Sequence, residues 1–328
     1  MAERIVRAVV AGASSVLGKE LTSELSASEK FVWDLKLLDA DSGESKDVGG
    51  RISAVGDEAL LIQPISEEAF SGIDLVFFAG DAEETKKYWK AAGHAGAAVV
   101  DLTGALAGEA GVSICAPSLQ EAASDRRVMV SAHPAAIMLS AIVLPLHEKW
   151  PNATFSATVM EPASQQGNAG LDELHQQTAA LLSFQPLPQT TYGGQAAFNL
   201  YTASPAEAKA RLSDVLACVR TDLVAIMGDV AASALALQFV QAPVFHGYTA
   251  SIFVDLEESV EAVTSALDRT MVHVLDAPGS CSNVSATEQS YIEVSVQRNE
   301  ARGIWLWAAC DNVKLAAQNA IACASALL

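Results

Sequence analysis

The sequence predicts an α/β protein of two domains, a doubly wound parallel sheet followed by an α+β domain on a mixed or antiparallel sheet. Three observations carry this. The chain has 328 residues, more than one ordinary core accommodates, and its composition, 51% hydrophobic and 18% charged, supports two packed cores. Up to residue 131, short apolar runs alternate with helical patterns, which requires crossover connections and a mainly parallel sheet with helices on both faces. From about Ala135 onward, strand-like runs are separated by long helices, the pattern of a mixed or antiparallel sheet covered on one face.

In chain order, the first part has strand-like runs at 5–11, 35–38, 60–62, 75–79, 98–102 and 128–131, with helical patterns at 17–25 and 84–92. The first run enters a glycine turn that opens a helix, a layout of the Rossmann type. The second part opens with a long apolar helix from Ala135 to Lys149, which Pro151-Asn152 terminates. Strands are expected at 154–161, 234–241, 248–256, 291–297 and 304–310, and helices at 171–182, 206–226 and 259–268. The pair flanking Pro243 is expected to be hairpin-like. The last helix, 313–327, is apolar almost throughout and should return to the first domain. The domains are therefore expected at 1–132 plus 311–328 and at 133–310.

A formal net charge of −19, with no compensating run of Lys or Arg, repels nucleic acid and anionic membrane surfaces. No apolar segment approaches the ~20 residues of a membrane span. The opening MAERIVRAVVAG runs into a glycine turn without a cleavage-like end, so it reads as a buried strand, and a cytoplasmic location is expected. The five cysteines, Cys115, Cys218, Cys281, Cys310 and Cys323, show no paired spacing, which argues against a disulfide framework and a zinc site. Cys310 and Cys323 lie in apolar segments and read as packing thiols. Cys281, in the loop-like Pro278-Gly279-Ser280-Cys281-Ser282, is the one to test as reactive, although packing is the plainer reading.

The glycine turn is Gly12-Ala13-Ser14-Ser15-Val16-Leu17-Gly18. In a dinucleotide fold its backbone N–H groups reach a pyrophosphate at the helix N-terminus. Here Ser15 replaces the middle glycine, which either crowds the phosphate or strains the backbone by on the order of 1 kcal/mol. The competing reading is a capping turn in which Ser14 and Ser15 satisfy their own helix. Asp39, about twenty residues beyond Gly18, suits an adenosine ribose hydroxyl and repels a 2′-phosphate, favouring NAD over NADP. Equally, Asp39, Asp41 and Glu44 read as a solvated acidic loop.

Together with the glycine loop, SAHPAAIMLSAIVLPLHEKW, EPASQQGNAGLDELHQQT, AAFNLY, QAPVFHGYT and WLWAACDNVKLAAQNA follow one another in an order that resembles the aspartate-semialdehyde dehydrogenase family, particularly its Usg-like paralogues. The resemblance runs over essentially the whole chain. It implies a Rossmann-type NAD(P)-binding domain and a dimerisation and substrate domain. It also implies reductive dephosphorylation of an acyl phosphate through a cysteine thioester, in amino-acid biosynthesis, with hydride from NADPH.

Carried over by position, that machinery is missing. The family's Asn-Pro-Asn-Cys becomes His133-Pro134-Ala135-Ala136, so the nucleophile falls on a methyl group. The assisting glutamine falls on Glu161, the substrate arginine on Gln241 and the base histidine on Tyr248. A phosphate-binding arginine falls near Ala107, and Asp39-Ala40-Asp41-Ser42 lacks the basic side chain for a 2′-phosphate. The stretch after Asp311-Asn312 is about one residue shorter than the family's and lacks its glycine. Losing a covalent nucleophile alone costs on the order of 10⁴ to 10⁶ in rate.

The resemblance therefore implies a catalytically silent homodimer with no intact catalytic residue and a nucleotide site at Gly12, Ser14, Ser15, Val16, Leu17, Gly18 and Asp39. Two alternatives stand beside it: an NAD-dependent oxidoreductase without a covalent intermediate, and a regulatory partner of an active homologous dehydrogenase. His133, Glu161, His246 and Tyr248 are expected along the old cleft, Tyr248 and His246 on one strand face, but nothing beyond spatial inference favours a metal there. Trp305 and Trp307 share a strand face that enters the core or an interface.

Overall fold

The computed structural model describes residues 5–28, 30–40, 52–55, 58–121, 126–275, 280–299 and 302–328. The chain divides into two compact units, Met1–His133 with Ala316–Leu328, and Pro134–Leu315.

The first unit contains β1 (Ile5–Ala11), α1 (Val16–Ala27), β2 (Val32–Asp39), β3 (Ile52–Val55), β4 (Glu58–Pro64), β5 (Leu75–Phe78), α2 (Ala82–His94), β6 (Ala98–Asp101), β7 (Ser113–Cys115) and β8 (Val128–Ser131). The sheet runs β3-β4-β2-β1-β5-β6-β8-β7, and every pair is parallel except β3–β4 at the edge. Both faces are covered, and the two-residue period of β1 divides them. Val6, Ala8 and Val10 face a core shared with Leu21 and Leu25 of α1. Val9 and Ala11 face the opposite core, with Phe70, Phe78 and Ala92.

The second unit contains α3 (Pro134–Lys149), β9 (Thr154–Glu161), α4 (Gly167–Leu182), α5 (Leu212–Ser233), β10 (Leu235–Gln241), β11 (Tyr248–Asp255), α6 (Val260–Leu267), β12 (Val272–Val274), β13 (Ile292–Arg298) and β14 (Ile304–Cys310). Its sheet, β10-β9-β11-β14-β13-β12, is mixed: β10–β9 and β13–β12 are parallel, the other pairs antiparallel. Alternation again assigns the faces. Tyr248, Ala250, Ile252 and Val254 are buried along β11, as are Ile304, Leu306 and Ala308 along β14. α3 is apolar on all sides and buried from Pro134 to Val143, with α5 and α6 packed against it. The last helix, α7 (Asn312–Leu327), begins at the end of this unit and supplies Ala317, Ala320, Cys323 and Ala324 to the core of the first.

Two details depart from the sequence reading. The strands flanking Pro243 form no hairpin, because β9 lies between β10 and β11. The connecting segment runs past the end of β9 instead, where Ala163 N donates to Val244 O and Ser164 N to Phe245 O, at 2.8 and 2.9 Å. The helix expected at 206–226 begins at Leu212, whose N–H is taken by Ser204 Oγ at 2.9 Å, and extends to Ser233 through a break at Gly228 (φ 76°). Among the described residues no helix is long and apolar enough to cross a membrane.

Candidate functional site

The turn from β1 into α1 is built on two glycines. At Gly12 (φ 87°) a Cβ would lie 2.3 Å from Gly80 Cα, and at Gly18 one would lie 2.1 Å from Gly12 O. Backbone packing alone thus requires both. Ser15 carries no strain, correcting one branch of the sequence expectation: it is the extended N-cap (φ −65°) of α1. Its Oγ accepts from Gly18 N at 2.8 Å and donates to Ala79 O at 2.7 Å. Ser14 N donates to Asp39 Oδ2 at 3.1 Å, and Ser14 Oγ donates to the same oxygen. Val16 and Leu17 form the first turn of α1 beside them. Asp39, at the end of β2, is thereby fixed against the loop rather than loosely solvated, whereas Asp41, Ser42 and Glu44 lie outside the described residues. Glu84 stands near enough for Asp81 and Asp39 to raise its carboxyl pKa, behind the larger effect of burial. This corner is acidic.

In the second unit Ala136 lies fully buried in the first turn of α3 and presents only a methyl group. Glu161, Gln241 and Tyr248 come together at the ends of three adjacent strands. Gln241 is the register partner of Glu161, and Tyr248 begins β11 one residue before Thr249, the register partner of Met160. All three are buried. Glu161 Oε1 accepts from Gln166 Nε2 at 2.6 Å, while Oε2 is out of solvent with no hydrogen-bond partner. Burial pushes the carboxyl pKa up to about 7, against the lowering effect of Gln166. Gln241 Nε2 donates to the carbonyls of Glu161 and Ala242, at 3.1 and 3.3 Å. Burial, with a smaller contribution from Glu161, raises the pKa of the Tyr248 phenol.

His133 is half-buried with Nε2 out of solvent, and desolvation lowers its pKa to about 4, so the ring is neutral at pH 7. His246 does not share a strand face with Tyr248. It is exposed and precedes β11, and Gly247 (φ 87°) interrupts the extended run between them. No group of three His, Cys, Asp or Glu is arranged to hold a metal among the described residues. Near Ala107, the buried Asp101 accepts from Thr103 N and Leu106 N, at 2.7 and 2.9 Å, so its carboxylate occupies donors of that turn.

Four of the five thiols are buried. Cys281 is buried, its Sγ donates to Glu293 O at 3.4 Å, and burial pushes its pKa up to about 12. Burial likewise raises the thiol pKa of Cys115, Cys310 and Cys323. Two residues that sequence reasoning missed organise the region. Gln166 was legible as a polar side chain one turn beyond Glu161. Asn312, whose Oδ1 accepts from Ser164 Oγ (3.1 Å) and Gly247 N (3.0 Å), left no signal because its partners are distant in sequence.

A glycine turn on a parallel sheet, followed by a mixed-sheet unit with a buried opening helix, defines a two-unit α/β chain whose first unit is of the dinucleotide-fold type. The model for the semialdehyde dehydrogenase NAD-binding domain matches residues 7–126, and that for the semialdehyde dehydrogenase dimerisation domain matches 143–315. The chain belongs to the semialdehyde dehydrogenase family. It is 29% identical to the USG-1 protein homolog of Pseudomonas aeruginosa over 95% of this chain and 94% of that one. It is 23% identical to aspartate-semialdehyde dehydrogenase 2 of Vibrio cholerae over 97% and 96%. The structure of a probable aspartate-semialdehyde dehydrogenase from Pseudomonas aeruginosa superposes with a TM-score of 0.83 at 25% identity, covering 99% and 98% of the two chains.

Proposed function

We propose that this chain is a catalytically silent semialdehyde dehydrogenase homologue that acts as a homodimer and keeps a dinucleotide site of NAD type. The observation that carries the reading is Ala136: a methyl group, buried in the turn where the resemblance puts the thiolate, forms no thioester. Glu161, Gln241 and Tyr248 add an acid and remove two cationic side chains, so an acyl phosphate finds neither a nucleophile nor an anion clamp.

The nucleotide corner supports the second half of the proposal. Gly12 and Gly18 keep the backbone of the turn, and Asp39, oriented by Ser14, offers an acceptor for a ribose hydroxyl. Asp39, Asp81 and Glu84 make the corner acidic, which disfavours the 2′-phosphate of NADP. Ser15 is an unstrained cap, so the turn holds its form while one phosphate-facing N–H, that of Gly18, is already occupied. Weak NAD binding follows.

Purified protein should turn over no aspartyl phosphate with NADPH, and calorimetry should register NAD with at least tenfold higher affinity than NADP. Turnover would overturn the silent reading. Equal affinities would overturn the cofactor assignment.

A further inference from the structure

Between α4 and α5 the chain changes character. Residues 174–206 contain no Asp, Glu, Lys or Arg, in a chain of net charge −19 with 18% charged residues. Two buried side chains of α4 fasten this stretch: Glu173 accepts from Thr191 N and Tyr192 N, and Gln177 bonds the backbone of Pro188, Gly194, Ala196 and Ala197. Its large apolar side chains nevertheless stand outside. Phe184 is 96% exposed, and Leu182, Phe198 and Leu200 are exposed as well.

The backbone supplies an independent observation. Among the described residues three that are not glycine have positive φ, and two of them are Phe184 (φ 56°) and Phe198 (φ 57°). Phe184 closes α4 in a Schellman turn, with Gln185 N donating to Ala180 O at 2.8 Å and Phe184 N to Leu181 O at 3.4 Å, a place where glycine or asparagine avoids the steric penalty. A bulky ring in that conformation, without burial in return, breaks a local rule twice in one segment. Such strain points to a contact outside the chain's own core.

Charge selects the occupant. Two copies of an acidic chain repel one another over most of their surface, and an interface core is depleted of charge and enriched in aromatic side chains. The segment also continues into the second sheet, because Tyr201 pairs with Gln241 on the edge strand β10. Across β10, β9, β11 and β14, the register row Gln238, Thr158, Ser251 and Trp307 is likewise uncharged, and it lies within the match to the dimerisation domain.

We propose that the uncharged segment 182–200, led by Phe184 and Phe198, is a docking surface for a second copy of this chain. This rests on the homodimer reading above, and the arms of the test separate the two.

The test is a dilution series of the full chain by sedimentation velocity, for the wild type, Phe184→Gly, Phe198→Asn and, as a control, Val284→Ser, which alters an exposed apolar side chain outside the segment. Phe184→Gly and Phe198→Asn should each raise the dimer dissociation constant at least tenfold, while the control leaves it unchanged. Raising NaCl from about 0.05 to about 0.5 M should tighten wild-type association by screening like charge. Glycine and asparagine accept the left-handed backbone, so under dissociating dilution neither variant should unfold at lower urea than the wild type. A monomeric wild type would overturn this proposal together with the homodimer. A dimer that salt weakens, or whose dissociation constant both variants leave unmoved or the control moves equally, would overturn this proposal alone. So would a variant that unfolds earlier at that dilution, because its ring would then be packing within its own chain.

Discussion

Glu161 holds its proton further up the pH scale than a carboxyl in water does, and stability depends on this. Its folded pKa of about 7 lies above the ordinary 4.5, so the folded state binds the proton more tightly than the unfolded chain. The contribution is fully present below pH 4.5 and is lost as pH rises to about 7, amounting to roughly 3–4 kcal/mol. Glu161→Gln should abolish this slope and be more stable than the wild type at pH 8 by a similar amount, measured by urea unfolding at pH 5 and 8. Parallel profiles for the two proteins would show that the carboxyl is not the source. His133 has the opposite sign: with a folded pKa of about 4 against 6.5, its contribution is present above pH 6.5 and is lost as pH falls toward 4. At the same scale, Ala136→Cys alone should leave aspartyl phosphate turnover undetectable, since Glu161, Gln241 and Tyr248 remain unsuited to that substrate. The replaced residues were legible in the sequence one by one. Their hydrogen bonds were not, because Gln241 turns its amide to the carbonyls of Glu161 on the adjacent strand and of Ala242 just past its own, and Gly247 precedes β11 with His246 exposed before it.

At the level of elements, the turn between β1 and α1 is over-determined. Ser15→Ala removes the acceptor for Gly18 N and should cost about 1 kcal/mol without loss of fold. Gly12→Ala should cost considerably more, because an L side chain at φ 87° would also meet Gly80 at 2.3 Å. Equal midpoints for the two variants in chemical unfolding would refute this ranking. Element by element, the sequence disclosed what periodicity discloses. Long alternating runs such as β1 and β14 were found with their bounds, while the short strands β3, β7 and β12 were missed, since three or four residues carry too little pattern. The order of the second sheet was hidden for a different reason. The segment between β10 and β11 has the length of a hairpin, yet it docks beside the end of β9, and only long-range pairing decides that.

For the molecule as a whole, the outer face of the second sheet bears on association. Trp305 is 42% exposed and its ring packs at a tilt against Phe253, 5.0 Å between centroids, while its neighbour Leu306 faces the buried side. An exposed tryptophan on a sheet of the dimerisation domain suits a subunit contact. The chain should therefore run as a dimer in light scattering at micromolar concentration, and Trp305→Glu should shift it toward monomer with little change in circular dichroism. A wild type that stays monomeric would refute the homodimer.

The path of α7 has a consequence for how the protein comes into being. Asn319 Nδ2 donates to Cys115 O and Ser131 Oγ, at 3.0 and 2.9 Å, and the small residues around it complete the same core as Val6, Ala8 and Val10. On the ribosome the strands of the parallel sheet emerge before α7, and the part of their face that α7 covers stays open until it arrives. A fragment of residues 1–133 should accordingly bind hydrophobic dyes and aggregate, and a peptide of residues 312–328 supplied in trans should rescue it. The core of the first unit is thus completed only after the whole of the second unit has been made.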